Sequence, residues 1–185
     1  MGPGPGAVRL AGFASRSICR AVRARYLPTL AVLLLLAPAA HSACNDSPAP
    51  GVDWRRCLND SRDLAGVDLS GAVLRDASLS RANLAGAKLT GAEAMQLRLV
   101  SADLSGASLD GAVMLGADLT RANLQGATLR KADLRRATLF RADLSKADLT
   151  GANLTGANLS GAMLDGARWT DGERICAVGS VGNCQ

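Results

Sequence analysis

Side chains that carry chemistry are scarce in this 185-residue chain, which has one histidine, one tyrosine, two phenylalanines and two tryptophans. His41 and Tyr26 both fall in a removable-looking N-terminal segment, so the remainder lacks the common general base. The serines, such as Ser70, Ser105 and Ser160, recur at repeat positions where any small polar residue serves, and the carboxylates are dispersed without a close acid pair. Glycines recur at intervals of five, a spacing that matches no phosphate-binding fingerprint. The cysteines have neither metal-site spacing nor histidine partners. We therefore expect no enzyme activity, no cofactor and no metal.

Long apolar runs are also missing. The longest, residues 27–40, falls short of the roughly 20 residues that a membrane-spanning helix needs. It follows a stretch bearing Arg9, Arg16, Arg20, Arg23 and Arg25 with no acid, and it ends at Ala40-His41-Ser42. This is the layout of a secretory signal peptide over residues 1–42, cleaved after Ser42, with Ala39 as the alternative site. All 16 acidic residues lie beyond it and five of the 21 basic residues leave with it, so the mature chain is formally neutral. The basic character of the whole sequence gives no reason to invoke nucleic acid.

Four cysteines remain, Cys44, Cys57, Cys176 and Cys184. An even number in an exported chain reads as disulfides, and proximity favours Cys44 with Cys57 and Cys176 with Cys184. A lipid anchor on Cys44 is the rival reading. It is weakened by His41, which stands where a lipobox has an aliphatic residue.

Twenty-two five-residue units run from Arg62 to Asp171. With the central residue written i, position i−2 is Ala in 19 units and position i is Leu in 19. A period of five fits neither a helix nor a simple strand, so each unit must turn a corner after a short extended stretch, and such units must stack to bury their apolar positions. Strings such as Ala142-Asp143-Leu144-Ser145-Lys146 and Ala147-Asp148-Leu149-Thr150-Gly151 resemble the pentapeptide-repeat family.

The resemblance implies an all-β fold, a right-handed quadrilateral β-helix (β-solenoid). It would have four pentapeptides per coil, about 5.5 coils in all, and Leu and Ala would point inward. The expected layout is a signal peptide at 1–42, an N-terminal cap segment at 43–61, the β-helix at 62–171 and a C-terminal cap at 172–185. Trp54 and Trp169 are expected as lids at the two ends.

Residues 20 apart should then be stacked neighbours. The column from Asp63 alternates acid and amide through Asn83, Asp103, Asn123 and Asp143. Asp68 with Lys88, Arg98 with Asp118, Asp110 with Arg130, and Asp148 with Arg168 form opposite-charge neighbours at the same spacing. One inward column, Leu74, Ala94, Met114, Leu134 and Leu154, breaks the Leu rule, and Leu97 is placed to fill the space left at Ala94.

The outward residues carry one departure from the bland repeat. Arg121, Arg130, Lys131, Arg135, Arg136, Arg141 and Lys146 form a basic belt, with Phe140 among them and Met95, Val100 and Leu115 within about two coils. This reads as a contact surface for an anionic envelope partner, either protein, polysaccharide or lipid. The expected function is a non-catalytic, exported structural or interaction module. The resemblance also implies an alternative, a DNA-mimicking modulator of gyrase in the cytosol. That role needs stacked acids, which this chain avoids.

Overall fold

In half of the repeat units the residue before the central position is Asp or Asn, and its side chain caps the turn. The Asp68 carboxylate accepts from the Ser70 N–H at 3.0 Å, and the same bond recurs at Asp103 with Ser105, Asp143 with Ser145 and Asn158 with Ser160. Short polar side chains that capture the backbone two residues on are turn formers. The next residue stands at φ near +60° at corners with and without that bond, a conformation glycine adopts without penalty, as at Gly66 and Gly106. Each unit is thus three extended residues and a two-residue corner.

Residues 43–185 are described by the computed structural model; the expected signal peptide lies outside them. Parallel bridges join Asp53 to Val73, Leu58 to Ser78, Asp63 to Asn83 and Asp68 to Lys88, and each series continues at steps of 20 residues. These four columns define four faces, named here by their first residues. The chain is a β-solenoid in which single bridged residues, rather than long strands, carry the sheet. Each unit commits three N–H groups to its neighbours. Leu64 N–H donates to Asn83 O at 2.7 Å, Gly66 N–H to Ala85 O at 2.8 Å, and Asn83 N–H to Arg62 O at 2.9 Å.

The central Leu and preceding Ala of most units are fully buried in one continuous core. Leu97 and Met114 are buried with Ala94, so the irregular column is a repaired core. Amide and acid alternate as expected, since Asn83 donates to Asp63 at 2.9 Å and Asn123 to Asp103 at 3.0 Å.

Both ends differ from the expected boundaries. Bridging starts at Asp53, so residues 52–61 belong to the solenoid and the separate N-terminal segment is shorter than 43–61. Val52-Asp53-Trp54 and Cys57-Leu58-Asn59 occupy the repeat register without its Ala and Leu, which is why the periodicity hid them. Trp54 fills an inward Leu position and is fully buried; its indole N–H donates to Asp46 O at 3.3 Å, and the Arg62 guanidinium lies 5.1 Å from its ring centre. The Cys44–Cys57 disulfide ties a short 3-10 turn, Ala43–Asn45, to this first coil.

At the other end the chain reverses. Ile175 bridges Arg168 and Val181 bridges Met163, both antiparallel, and Cys176–Cys184 closes a loop within the returning tail. The tail therefore covers the edges of the Asp68 and Asp63 faces. The other two faces are left with Leu154, Gly156, Leu159 and Gly161 N–H groups lacking a backbone acceptor among the described residues. Trp169 is half-buried beneath this tail and less enclosed than Trp54.

Two outcomes follow from this packing. Leu97→Ala would open a void beside Ala94 and lower unfolding free energy by about 2–5 kcal/mol in urea titration. Replacing Cys176 and Cys184 by Ser would cost about 2–4 kcal/mol and increase aggregation, because the tail protects sheet edges.

Candidate interaction surface

The belt expected from the sequence does not form one patch. Arg135 and Arg136 stand on the corner after the Asp53 face, and Arg121, Phe140 and Arg141 on the corner after the Leu58 face. Lys146 follows the Asp63 face, and Arg130 and Lys131 follow the Asp68 face. Cations adjacent in sequence are thus dispersed around all four corners, because every five residues turn the chain onto a new face.

Two of these cations are already engaged. Arg130 Nε lies 2.8 Å from Asp148, and Arg135 holds both oxygens of Asp133 at 2.8 and 2.7 Å. Arg121, Lys131, Arg136, Arg141 and Lys146 form no ion pair among the described residues. The Arg141 guanidinium lies 5.1 Å from the centre of the half-buried Phe140 ring.

None of the four expected opposite-charge neighbours forms an ion pair. The observed pairs run instead from a corner arginine to a carboxylate in the same unit, as in Arg135 with Asp133, or 18 residues away, as in Arg75 with Glu93 and Arg130 with Asp148. The reason is reach: long arginines at the corners meet a carboxylate of their own unit or one diagonally across the corner, and Asp110 accepts the Arg130 backbone N–H at 3.0 Å while the Arg130 guanidinium turns to Asp148. At Asp148, partial burial raises the pKa, but the Thr150 hydroxyl and N–H and the Arg130 guanidinium outweigh it and bring the value to about 2.

The five unpaired belt cations share a second property. Arg121, Lys131, Arg136, Arg141 and Lys146 all occupy the left-handed corner position, with φ between 56° and 60°. Glycine holds that position in many other units. A side chain there carries a conformational cost of about 1 kcal/mol or more.

No group of His, Cys, Asp and Glu among the described residues is arranged to hold a metal ion. No described helix is long and apolar enough to cross a membrane.

A family model described as pentapeptide repeats matches the sequence in eight copies, over residues 63–93, 98–136 and 132–168. The chain belongs to the pentapeptide-repeat family. Among solved structures, it is similar to the pentapeptide-repeat protein Rfr23 from the cyanobacterium Cyanothece 51142, with 27% identity over 63% of this chain and 90% of that one, and a TM-score of 0.51. HetL of Nostoc sp. strain PCC 7120, a pentapeptide-repeat protein involved in heterocyst differentiation regulation, is 31% identical over 66% of this chain and 78% of its own, with a TM-score of 0.32. A pentapeptide-repeat protein from the thylakoid lumen of Arabidopsis thaliana is 30% identical over 66% of this chain and 83% of its own, with a TM-score of 0.23. No curated protein sequence matches the chain. The pentapeptide-repeat protein described here is a solenoid with two disulfides.

Two measurements test the electrostatic and backbone reading. Because the folded-state pKa of Asp148 is depressed, its stabilising contribution is complete above the unfolded carboxylate value near 4 and disappears as pH falls through about 2. Asp148→Asn keeps the turn acceptor but loses the ion pair, so it should flatten the stability profile between pH 4 and 2, read by acid titration of circular dichroism. Lys131→Gly and Lys146→Gly should each raise unfolding free energy by about 1 kcal/mol, because the left-handed corner is relaxed.

Proposed function

We propose that this pentapeptide-repeat protein is an exported, non-catalytic interaction module. In this reading it is a quadrilateral rod with four pentapeptides per coil, about 5.5 coils over residues 62–171 and about six with residues 52–61 included, and arginines and lysines on its corners engage an anionic component of the cell envelope. The observation that carries the reading is the placement of Arg121, Lys131, Arg136, Arg141 and Lys146 at left-handed corners, where glycine would be more stable. Cost retained on an exposed surface is what a contact function accounts for.

Export is supported by chemistry as well as by the N-terminal pattern. Both cysteine pairs are joined, and disulfides persist in oxidising compartments. A lipid on Cys44 would compete with its bond to Cys57. The alternation of acid and amide in the Asp63 column, with Asn83 and Asn123 donating to acids, is unlike the stacked acids of a duplex mimic.

The reading predicts that protein recovered from the native host begins near Ala43 and gains the mass of four hydrogens on reduction. A full-length, reduced species in the cytosol would contradict it. It further predicts that Arg121→Glu, Arg136→Glu and Arg141→Glu together abolish salt-sensitive retention of an envelope component while thermal stability is kept. Unchanged retention would remove the belt from the account.

A further inference from the structure

The belt runs around the rod, yet the apolar residues near it do not. Met95 and Leu115 lie on the corner after the Asp53 face, and Val100 and Phe140 lie on the corner after the Leu58 face. These two corners border a single face, whose outward column begins with Leu58, 80% exposed. All four apolar side chains are half-buried, so they form a floor rather than projections.

The same face gathers exposed arginines from successive coils. Arg56, Arg81, Arg98, Arg121, Arg136 and Arg141 lie on it or on its two corners, spread over about 19 Å along the rod axis. None forms an ion pair among the described residues. Arg56 and Arg81 are outside the belt, and both hold left-handed corners, with φ of 58° and 59°. Three carboxylates lie on the same face and corners against these six arginines: Asp60, which accepts from Ser78 Oγ and Ser80 N–H, Asp118, which accepts from Thr120 N–H, and Asp76.

Both edges of the face are hollowed. A groove of about 420 Å³ is lined by Arg75, Asp76, Met95, Gln96, Leu115 and Arg136. A second, of about 360 Å³, is lined by Asp60, Ser80, Arg81, Arg98, Val100 and Ser101. Each has apolar atoms within and arginine at its margin.

Resting on the reading of the protein as an interaction module, we propose that the Leu58 face, along the rod and not around it, docks an acidic protein segment. The segment's apolar side chains seat in the two grooves, and its carboxylates meet the arginines. Charge complementarity selects the occupant: planar guanidinium groups pair with carboxylates through two parallel bonds, and apolar side chains interleaved with arginine are the composition of protein interfaces. A lipid surface fits less well, since membrane binding rewards many projecting apolar side chains, and on this face only Leu58 projects while Met95, Val100, Leu115 and Phe140 are recessed.

The test uses mature, disulfide-bonded protein and a short fluorescent peptide in which glutamates alternate with leucine and phenylalanine, read by anisotropy. Poly-glutamate and phosphatidylglycerol vesicles serve as competitors. Arg56→Glu with Arg81→Glu should weaken peptide binding at least tenfold, and Lys131→Glu with Lys146→Glu less than twofold. Leu115→Ser should weaken it severalfold, with melting curves showing that each variant is folded. Equal loss from both charge pairs would overturn the axial face while leaving the belt reading intact. No loss from either pair would overturn both. Failure of the peptide to bind, tighter binding to vesicles, or equal competition by poly-glutamate would each overturn an acidic segment with apolar anchors as the occupant.

Discussion

The structure depends on the corner that ends each five-residue unit, closed in half of the repeat units by a hydrogen bond that the backbone N–H at i+1 donates to a side-chain oxygen at i−1. That bond caps the turn at Asp68, Asp103, Asp143 and Asn158, and the residue after each turn is left-handed there as it is at corners without the bond, such as Asp76 and Gln96. Once the corner recurs every fifth residue, the extended residues between corners meet those 20 further on, and the backbone ladder and the Leu and Ala core follow together. The local choice and the global fold agree in almost every unit, which is the condition for a sequence to specify one structure.

That constraint also explains the surface. A carboxylate that makes a turn also accepts from a corner arginine where one is within reach, as Asp148 does from Thr150 N–H and Arg130 together. Arginine and lysine at the corners are therefore left in two populations. Arg75, Arg130 and Arg135 reach a carboxylate, whereas Arg121, Arg136 and Arg141 do not. The unpaired group sits where glycine would relieve the backbone, so these positions exchange stability for exposed charge.

The core was legible in the sequence because an inward position tolerates little besides Leu or Ala, and even the exception at Ala94 announced its repair through Leu97 and Met114. The disulfide pairs were legible from proximity. The first coil was not, because Trp54, Cys57 and Asn59 hold its inward positions and obscure the pattern; the only signal was that residues 52–61 keep the five-residue phase. The surface was legible in composition but not in arrangement. Reading along the chain groups Arg130, Lys131, Arg135 and Arg136 into a belt, whereas the solenoid separates them and joins Arg81, Val100 and Arg121 instead. Stacking at 20 residues located neighbouring columns correctly but not the ion pairs, which depend on how far an arginine side chain leans across a corner.

Amide hydrogen exchange, resolved by residue on the mature disulfide-bonded protein, tests the ladder most directly. The account predicts slow exchange at central leucines and corner residues, such as Leu104, Gly106, Leu124 and Gly126, repeating every five residues. Leu154, Gly156, Leu159 and Gly161 should exchange fast, because the tail leaves their edge uncovered. Uniform protection through 152–161, or protection without a five-residue period, would contradict the ladder and the arrangement of faces built on it.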